Sequence, residues 1–372
     1  MKFQIKKEKL LKSLTLIQGV VEKKKTLPIL ANVLLEAHGN ILTITATDLE
    51  IGIKIKNEAE INKEGKITVS AKKLFEITKE LSDSIIKIET KDNNWIEIKS
   101  GNAKFNIVAL TSEEYPTIND ADIKDDIKIS CSLLKDIIDK TFYSISTDET
   151  KYNLNGLYLH KYNGENINIR FVSTDGHRLS LYQTELTNID KDIDFEKGKI
   201  LPRKGLIELK KIIEESEEEI IVNFINNNAI FSTPNISLVM RIIDGSFPDY
   251  NRVIPDNLEN YAIINTKNFL HTLKRISILA NEKSKGINIK IEKDTMEISS
   301  SNPEYGEASD HLDIVYNGDD INIGFNSKYL LDALLSINSE NIYFYINNNK
   351  SPCLIVPEKE EQYQAVIMPM NI

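Results

Sequence analysis

Three stretches of the sequence follow one pattern: VSAKKLFEI at residues 69–77, LPRKGLIEL at 201–209 and FNSKYLLDA at 325–333. Within these stretches the apolar residues recur at helical spacing, as Leu206 and Leu209 do. Each stretch is followed by a segment typical of a strand, at residues 84–89, 219–224 and 340–345. The pattern predicts a strand, a short helix and a second strand, three times in one chain.

Two further markers recur in the same order. Each copy opens with a short strand and a helical stripe, at residues 3–14, 127–137 and 262–273. Each copy also carries a polar pair after a strand: Thr47–Asp48, Thr174–Asp175 and Ser301–Asn302, which are 127 residues apart each time. Repetition at a fixed period is typical of duplicated structural units. The sequence therefore predicts three similar domains: 1–122, 123–254 and 255–372.

Each predicted domain contains two amphipathic helices. The six helices are expected at residues 6–22, 70–81, 130–142, 202–215, 265–280 and 326–337. Between them, stretches such as 41–46 and 95–99 alternate as half-buried strands do. The predicted fold class is α+β, with antiparallel sheets backed by helices on one side.

Composition excludes several classes of protein. Of the 372 residues, 41% are hydrophobic and 27% are charged, and charges or amides interrupt every apolar run well before a membrane span of about 18 residues. The first residues lack the apolar core of a signal peptide. Two cysteines build neither a disulfide framework nor a cysteine-rich zinc site. A cytoplasmic protein is expected.

Charge is distributed unevenly along the chain. The net charge is −10, which by itself argues against a nucleic-acid partner, yet the six predicted helices together carry +7. Lysines on solvated helix faces would explain this. A second interpretation is that the helices share a surface that meets a polyanion, since a local basic surface binds phosphate despite an acidic total. Because most of these side chains are lysines, such a surface would follow phosphates without distinguishing bases.

Catalytic and metal-binding motifs are absent from the sequence. No phosphate-binding glycine loop, H-E-x-x-H or C-x-x-C occurs, and the five histidines are scattered. The densest polar stretch is TDGHRL at residues 174–179. It is open to three interpretations: a base, His177, oriented by Asp175; a structural turn; or part of a binding site. No cofactor and no metal are expected.

Several short motifs resemble those of the bacterial DNA polymerase III β subunits, the β sliding clamps. The residues that carry the resemblance are TLPIL at 26–30, TDLE at 47–50, LNG at 154–156, TDGHRL at 174–179, PRKGLIEL at 202–209, FPDY at 247–250, NEK at 281–283, GFN at 324–326 and VIMPM at 366–370. The resemblance implies a head-to-tail homodimeric ring that encircles duplex DNA, slides along it and tethers the replicative polymerase. It implies no catalysis and no membrane contact.

The resemblance also implies partners and site residues. The expected partners are double-stranded DNA, the DNA polymerase III α subunit, the clamp-loader complex and other proteins with a clamp-binding motif. Residues expected to face DNA are Lys24, Lys25, Lys151, Tyr152, Arg203, Lys204, Lys274 and Arg275. Those expected to form a groove for partner peptides are Leu154, Thr174, Gly176, His177, Arg178, Leu179, Pro248, Val253, Asn326, Tyr329, Val366, Met368, Pro369 and Met370. Here His177 and Arg178 are expected to donate hydrogen bonds from the rim.

A contact between two copies is expected from the same resemblance. Its residues are Lys73, Lys104, Phe105, Ile107, Ile278, Leu279, Glu304 and Glu307. Two alternatives stay open at this stage: an enzyme that uses Asp175 and His177, and a peptide-binding scaffold that never encircles DNA.

Overall fold

The helices lie where the sequence predicts them. The computed structural model describes residues 1–21, 27–116, 118, 127–162, 168–186, 198–214, 219–256 and 259–371. Its α-helices are α1 (Lys7–Ile17), α2 (Ala71–Glu80), α3 (Cys131–Thr141), α4 (Arg203–Glu214), α5 (Thr266–Ile276) and α6 (Ser327–Leu335). Side-chain oxygens of Ser70, Asn265 and Asn326 accept backbone N–H bonds and so begin three of them. Each helix falls inside its predicted span.

The strands fill the intervals between the helices. In the first half of the chain they are β1 (Lys2–Lys6), β2 (Asn32–His38), β3 (Ile41–Thr47), β4 (Ile51–Glu58), β5 (Glu60–Lys63), β6 (Gly65–Ser70), β7 (Ile85–Lys91), β8 (Trp95–Ser100), β9 (Ala103–Leu110), β10 (Ile127–Ser130), β11 (Gly156–Tyr162), β12 (Asn168–Thr174) and β13 (Arg178–Glu185). In the second half they are β14 (Lys199–Pro202), β15 (Glu219–Ile225), β16 (Asn228–Ser232), β17 (Ile236–Arg241), β18 (Tyr261–Asn265), β19 (Gly286–Glu292), β20 (Thr295–Asn302), β21 (Gly306–Asp313), β22 (Ile321–Asn326), β23 (Asn341–Tyr345), β24 (Cys353–Pro357) and β25 (Tyr363–Ile367). The order β6-α2-β7, β14-α4-β15 and β22-α6-β23 confirms the threefold strand–helix–strand pattern.

The first of two compact units contains the described residues of Met1–Lys135 and Lys204–Ile242. Its strands form one antiparallel sheet in the order β10-β15-β16-β17-β4-β3-β2-β6-β9-β8-β7-β1-β5. Leu10 and Leu14 of α1 and Leu74 of α2 are fully buried. The apolar stripes of these helices therefore lie in the core, as their spacing predicts.

The second unit contains the described residues of Asp136–Thr187, Asp194–Arg203 and Ile243–Ile372. It has an eight-stranded sheet, β14-β11-β12-β13-β25-β24-β23-β18, and a four-stranded sheet, β21-β20-β19-β22. Phe269 and Leu273 of α5 and Leu330 of α6 are fully buried. The helices of this unit thus also bury one face.

Strand pairing crosses both predicted domain boundaries. In the first unit β17 pairs with β4, and in the second unit β13 pairs with β25. Cuts near residues 122 and 254 would therefore separate strands that share backbone hydrogen bonds. This pairing explains why the two compact units do not coincide with three domains, and the exact boundaries stay a prediction.

The Thr–Asp marker closes the same kind of turn in two copies. Thr47 Oγ1 donates to the Ile51 carbonyl oxygen at 2.8 Å, and Thr174 Oγ1 donates to that of Arg178 at 2.6 Å. The aspartate that follows each threonine accepts two backbone N–H bonds through Oδ1. A short Asx-type turn of this kind forms from local residues alone, so the sequence marker has a structural basis in both copies.

Candidate functional site

The stretch 174–178 is a rigid turn between β12 and β13. Gly176 N–H donates to Thr174 Oγ1 at 3.1 Å, while Asp175 Oδ1 accepts the N–H groups of His177 and Arg178 at 2.9 and 3.1 Å. Gly176 has φ +94°, a left-handed conformation that glycine adopts without strain. The turn exposes the backbone of Gly176 and the side chain of His177.

Arg178 leaves this turn toward the protein interior. Its guanidinium donates to Asp175 Oδ2 at 3.0 Å, to Asp332 Oδ2 on α6 at 2.6 Å and to the Tyr143 carbonyl oxygen at 2.6 Å. It also lies over the Tyr329 ring, 4.6 Å from the centroid. Burial alone would lower the pKa of Arg178, but the bonds to Asp332 and Asp175 outweigh it and raise the pKa. Arg178 thus joins β13 to α6 through these bonds, and its predicted role as a donor at the rim stays a prediction.

Replacing Asp332 with Asn is expected to lower the free energy of unfolding by about 1–3 kcal/mol. The side chain of Arg178 is only 8% exposed, so the variant would leave a buried charge with weaker compensation. Chemical denaturation followed by circular dichroism measures the change. Asp249→Asn is the matched control, because its ion pair with Arg252 is exposed and should contribute little. Equal effects of the two variants would contradict the proposed importance of the Asp332 bond.

In the described structure no carboxylate is bonded to the His177 ring in the way that would orient it as a base. Its ring stacks on that of Tyr329, with centroids 6.3 Å apart and planes 17° apart. The described hydrogen bonds of Asp175 go to backbone N–H groups and to Arg178, and none joins its carboxylate to the His177 ring. The interpretation of Asp175 and His177 as a catalytic pair therefore finds no geometric support.

An apolar floor runs across the eight-stranded sheet beside this turn. Direct cross-strand partners lie on the same face, and the pairs Thr174–Leu179, Leu179–Val366 and Val366–Leu354 form one continuous row. The row continues from Leu354 to Tyr345. Leu179 and Val366 are 2% and 1% exposed. Two of the predicted groove residues, 187 positions apart, thus pack side by side.

Of the other predicted groove residues, one is shown to contact this floor. Val253 packs against the buried cluster that contains Leu179, Val366 and Leu354. Pro248 is exposed in the same connecting segment, and Leu154 is 8% exposed at the end of a short 3-10 helix, Glu149–Leu154. Leu354 was not among the predicted groove residues. In the sequence, Leu354 belongs to an ordinary apolar run. Only the pairing of β24 with β25 shows that it lies beside Val366.

The C-terminal tail forms one edge of the site. Met368 N–H donates to the His177 carbonyl oxygen, and Met370 N–H donates to that of Gly324, both at 2.9 Å. Met368, Pro369 and Met370 are half-buried. The two bonds hold the tail between the 174–178 turn and the end of β22.

The neighbouring Asn326 side chain caps α6 and donates to the Ser284 carbonyl oxygen at 3.0 Å. The second unit therefore contains every predicted groove residue.

The first unit contains an equivalent row with a different floor. Thr47 pairs with Gly52, and Gly52 pairs with Val239, so Gly52 takes the place that Leu179 has in the second unit. A methyl group on Gly52 would meet Ile118 Cδ1 at 2.5 Å. The side chain of Ile118 thus covers the position of the missing leucine. The repeat duplicates the turn but not the apolar floor.

The predicted DNA-facing residues are mostly exposed. Lys24 and Lys25 lie outside the described residues. Lys151 and Tyr152 are exposed on the 3-10 helix, and Lys204, Lys274 and Arg275 are exposed on α4 and α5. Lys204 pairs with Asp48, and Arg275 pairs with Asp310. Arg203 is half-buried, with its guanidinium 4.7 Å from the centroid of the Phe142 ring.

Four of the predicted contact residues, Lys104, Phe105, Ile107 and Glu307, lie on strands that have an unpaired edge, and the others lie on or between helices and turns. Strand β9 pairs with β8 along Ala103–Val108, but with β6 only through Ala109 and Leu110. Strand β21 pairs only with β20 among the described strands. Phe105 is 37% exposed and Ile107 is half-buried, whereas Ile278 is 78% exposed next to the half-buried Leu279. Side chains this exposed are available to a second molecule.

Three of the four charged residues of this set already have a partner within the chain, and Glu307 Oε1 accepts from Ser301 Oγ at 3.5 Å. Lys104 contacts Glu97 Oε2 at 2.6 Å, and together with Lys99 it lowers the pKa of Glu97 to about 2. Lys73 contacts Glu76 at 2.8 Å on its own helix. Glu304 lies just before β21 and Glu307 lies on it, and both are exposed. Rim ion pairs between copies would have to compete with these internal pairs.

The described parts of the chain offer neither a metal-ligand cluster nor a membrane-spanning helix. Their His, Cys, Asp and Glu side chains include no group of three or more that could hold a metal ion. No described helix has both the length and the apolar character needed to cross a membrane.

Comparison with known proteins covers the whole chain. Three family models of the DNA polymerase III beta subunit match the chain: the N-terminal domain at residues 1–119, the central domain at 128–249 and the C-terminal domain at 251–371. The beta sliding clamp of Pseudomonas aeruginosa is 33% identical over 374 residues, with both chains fully covered. That of Caulobacter vibrioides is also 33% identical, again with full coverage of both.

Solved structures agree. A beta sliding clamp of C. crescentus, with polyethylene glycol bound to a putative beta-motif tethering region, has TM-score 0.95 and 32% identity, covering 100% of this chain and 99% of that one. DNA polymerase III subunit beta of P. aeruginosa has TM-score 0.93 and 33% identity, with both chains fully covered. The sequence, the repeated fold and these likenesses lead to one conclusion: the chain belongs to the DNA polymerase III beta subunit family, the beta sliding clamps.

Proposed function

We propose that two copies of the chain close head to tail into a ring that encircles duplex DNA and tethers the replicative polymerase in the cytoplasm. The observation that carries this proposal is the match to all three beta subunit domains, in order, along residues 1–371. The proposed domains are 1–122, 123–254 and 255–372. The beta sliding clamp family is non-catalytic, a processivity factor, and the chain is therefore not assigned an enzymatic activity.

The ring contact is proposed between unlike surfaces. Unpaired strand edges offer rows of N–H and C=O groups, and β9 and β21 each have such an edge. Exposed apolar side chains accompany both: Val108 at 58% on β9, and Tyr305 at 65% just before β21. A contact between the β9 end of one copy and the β21 end of its partner is heterologous, and two such contacts close a ring if the rotation permits.

The DNA contact is proposed to be electrostatic and loose. Exposed lysines on or near helices, such as Lys151 and Lys274, attract phosphates without distinguishing bases. Water-mediated contacts of this kind exchange readily, so a ring held by them can slide. Topology, more than affinity, would then keep the ring on DNA.

Retention on circular DNA tests the encircling function. After loading by the clamp loader, the ring should stay on nicked circular DNA and leave the same DNA once it is made linear. A scaffold that binds DNA or polymerase from one side would behave alike on both templates. Equal retention on circular and linear DNA would refute the encircling function.

Reversing the charge of exposed lysines is expected to weaken the DNA contact. Lys151→Glu combined with Lys274→Glu should lower the affinity for DNA roughly tenfold and make the slope of log affinity against log salt less negative by about 2. Filter binding across a salt series measures both quantities. Lys161→Glu with Lys350→Glu changes the net charge equally at exposed sites away from the helices and serves as the control. Equal losses in both double variants would show that only total charge matters.

The groove in the second unit is proposed to bind partner peptides, including those of the polymerase α subunit and the clamp loader. Its floor of Leu179 and Val366 is apolar and buried, and its walls are held by the bonds of Arg178 and the tail. An apolar cluster with a few polar groups at its edge suits a short peptide with apolar anchors. Methionines at 368 and 370 adapt to differing anchors.

A further inference from the structure

The floor of the groove continues beyond the predicted groove residues. From Leu354 the cross-strand row passes to Tyr345 on β23 and then to Tyr261 on β18, the outermost strand of the sheet. Tyr345 packs against the buried cluster that contains Leu179 and Val366. The buried row and these tyrosines therefore lie on the same face of the sheet, and exposure along the row rises to 41% at Tyr261.

Three tyrosine rings form the outer part of this surface, which we call the tyrosine strip: Tyr261, Tyr343 and Tyr345. The Tyr261 centroid lies 5.4 Å from that of Tyr343 and 5.3 Å from that of Tyr345. Tyr261 is 41% exposed. Burial raises the pKa of Tyr345, and the adjacent tyrosines and the negative charge of Glu361 raise it further. The strip is thus aromatic, partly exposed and close to a carboxylate.

We propose that the tyrosine strip binds the flank of a partner peptide, with an arginine of that flank stacked on the rings. The proposal rests on the partner groove proposed above. Four strand spacings separate Leu179 from Tyr261, about 19 Å in all, which about six extended residues span. An arginine about six residues from the apolar anchors would therefore reach the strip.

Arginine fits this surface for two physical reasons. Its planar guanidinium stacks on aromatic rings, and each such contact at an exposed site contributes about 0.5–1 kcal/mol. The carboxylate of Glu361 adds attraction for a cation near Tyr345. An acidic flank would meet repulsion there, so the strip would favour some partners over others by charge.

Two fluorescent peptides test the proposal on the intact dimer. The first is the clamp-binding segment of the cell's polymerase α subunit alone. The second adds eight residues on each side, with alanine throughout except for an arginine six residues from the anchors on both sides. Fluorescence anisotropy should show that the extended peptide binds about three- to tenfold more tightly. An all-alanine extension should add nothing.

The variant Tyr261→Ala with Tyr343→Ala should abolish this gain and leave the affinity for the short peptide unchanged. Tyr261→Phe with Tyr343→Phe should retain the gain, because the ring faces remain. If the gain survives in the alanine variant, or if the extended peptide binds no more tightly than the short one, the proposed binding of arginine at the tyrosine strip is wrong, while the proposed groove is unaffected. Failure of the short peptide to bind at all would overturn the groove and the strip together.

Discussion

A chain that ends at Ile367 is expected to lose at least about 100-fold of its affinity for partner peptides and to remain a dimer. Met368, Pro369 and Met370 are half-buried and are proposed to line the groove, and removal of a hot-spot side chain from an interface costs about 2 kcal/mol or more. Two such losses would correspond to roughly 1,000-fold in affinity, and a sum of about 2.8 kcal/mol is enough for about 100-fold.

The fold should survive this truncation. Strand β25 ends at Ile367 and keeps its pairing with β13, since the Arg178–Ile367 pair is the last in the register. A chain that ends at Met370 is the matched control and should bind peptides as the full chain does. Anisotropy measures the affinity, and light scattering measures the mass. An unchanged affinity in the shorter chain would place the groove elsewhere.

Replacement of Ile278 and Leu279 by alanine is expected to convert the dimer to a folded monomer. Ile278 is 78% exposed in the single chain, so its loss should cost little stability. Burial of two such side chains in a contact would stabilise it by about 3 kcal/mol or more, and a ring contains two equivalent contacts. The double variant therefore weakens both contacts of the ring.

Light scattering over a dilution series measures this loss of mass. Leu335→Ala is the matched control, because Leu335 is also an exposed apolar side chain, at 59%, near the end of α6. The control should stay dimeric at all concentrations where the wild type does. If the Ile278 and Leu279 variant keeps its dimer mass at the lowest concentration, the contact lies on other residues.

Local patterns predicted the elements of this fold well. Helical spacing of the apolar residues predicted the helices, and α2, for example, lies inside its predicted span of 70–81. The Thr–Asp pairs marked two equivalent turns because their hydrogen bonds join residues no more than four apart. Such features depend on neighbours in the sequence, which is why one sequence was enough to predict them.

Contacts between residues far apart in the sequence could not be predicted from local patterns. Arg178 bonds to Asp332, 154 positions away, and no local spacing signals that pair. The resemblance predicted Arg178 as a groove residue but assigned it an outward role. The extension of the floor to Tyr345 and Tyr261 depends on the strand order β25-β24-β23-β18. Strand order and register arise from packing of the whole unit, and alternation of residues along one strand does not specify them.

The pairing of β13 with β25 has a consequence for fragments of this chain. A fragment cut at residue 254 would retain β13 and lose β25, which would strip the hydrogen-bond partners from Arg178–Tyr182. Leu179 and Leu181 would lose their apolar neighbour strand at the same time. An uncovered edge of this kind is a template for aggregation. Pieces made at the predicted boundaries should therefore precipitate or self-associate, and the repeats, although similar, are not independent folding modules.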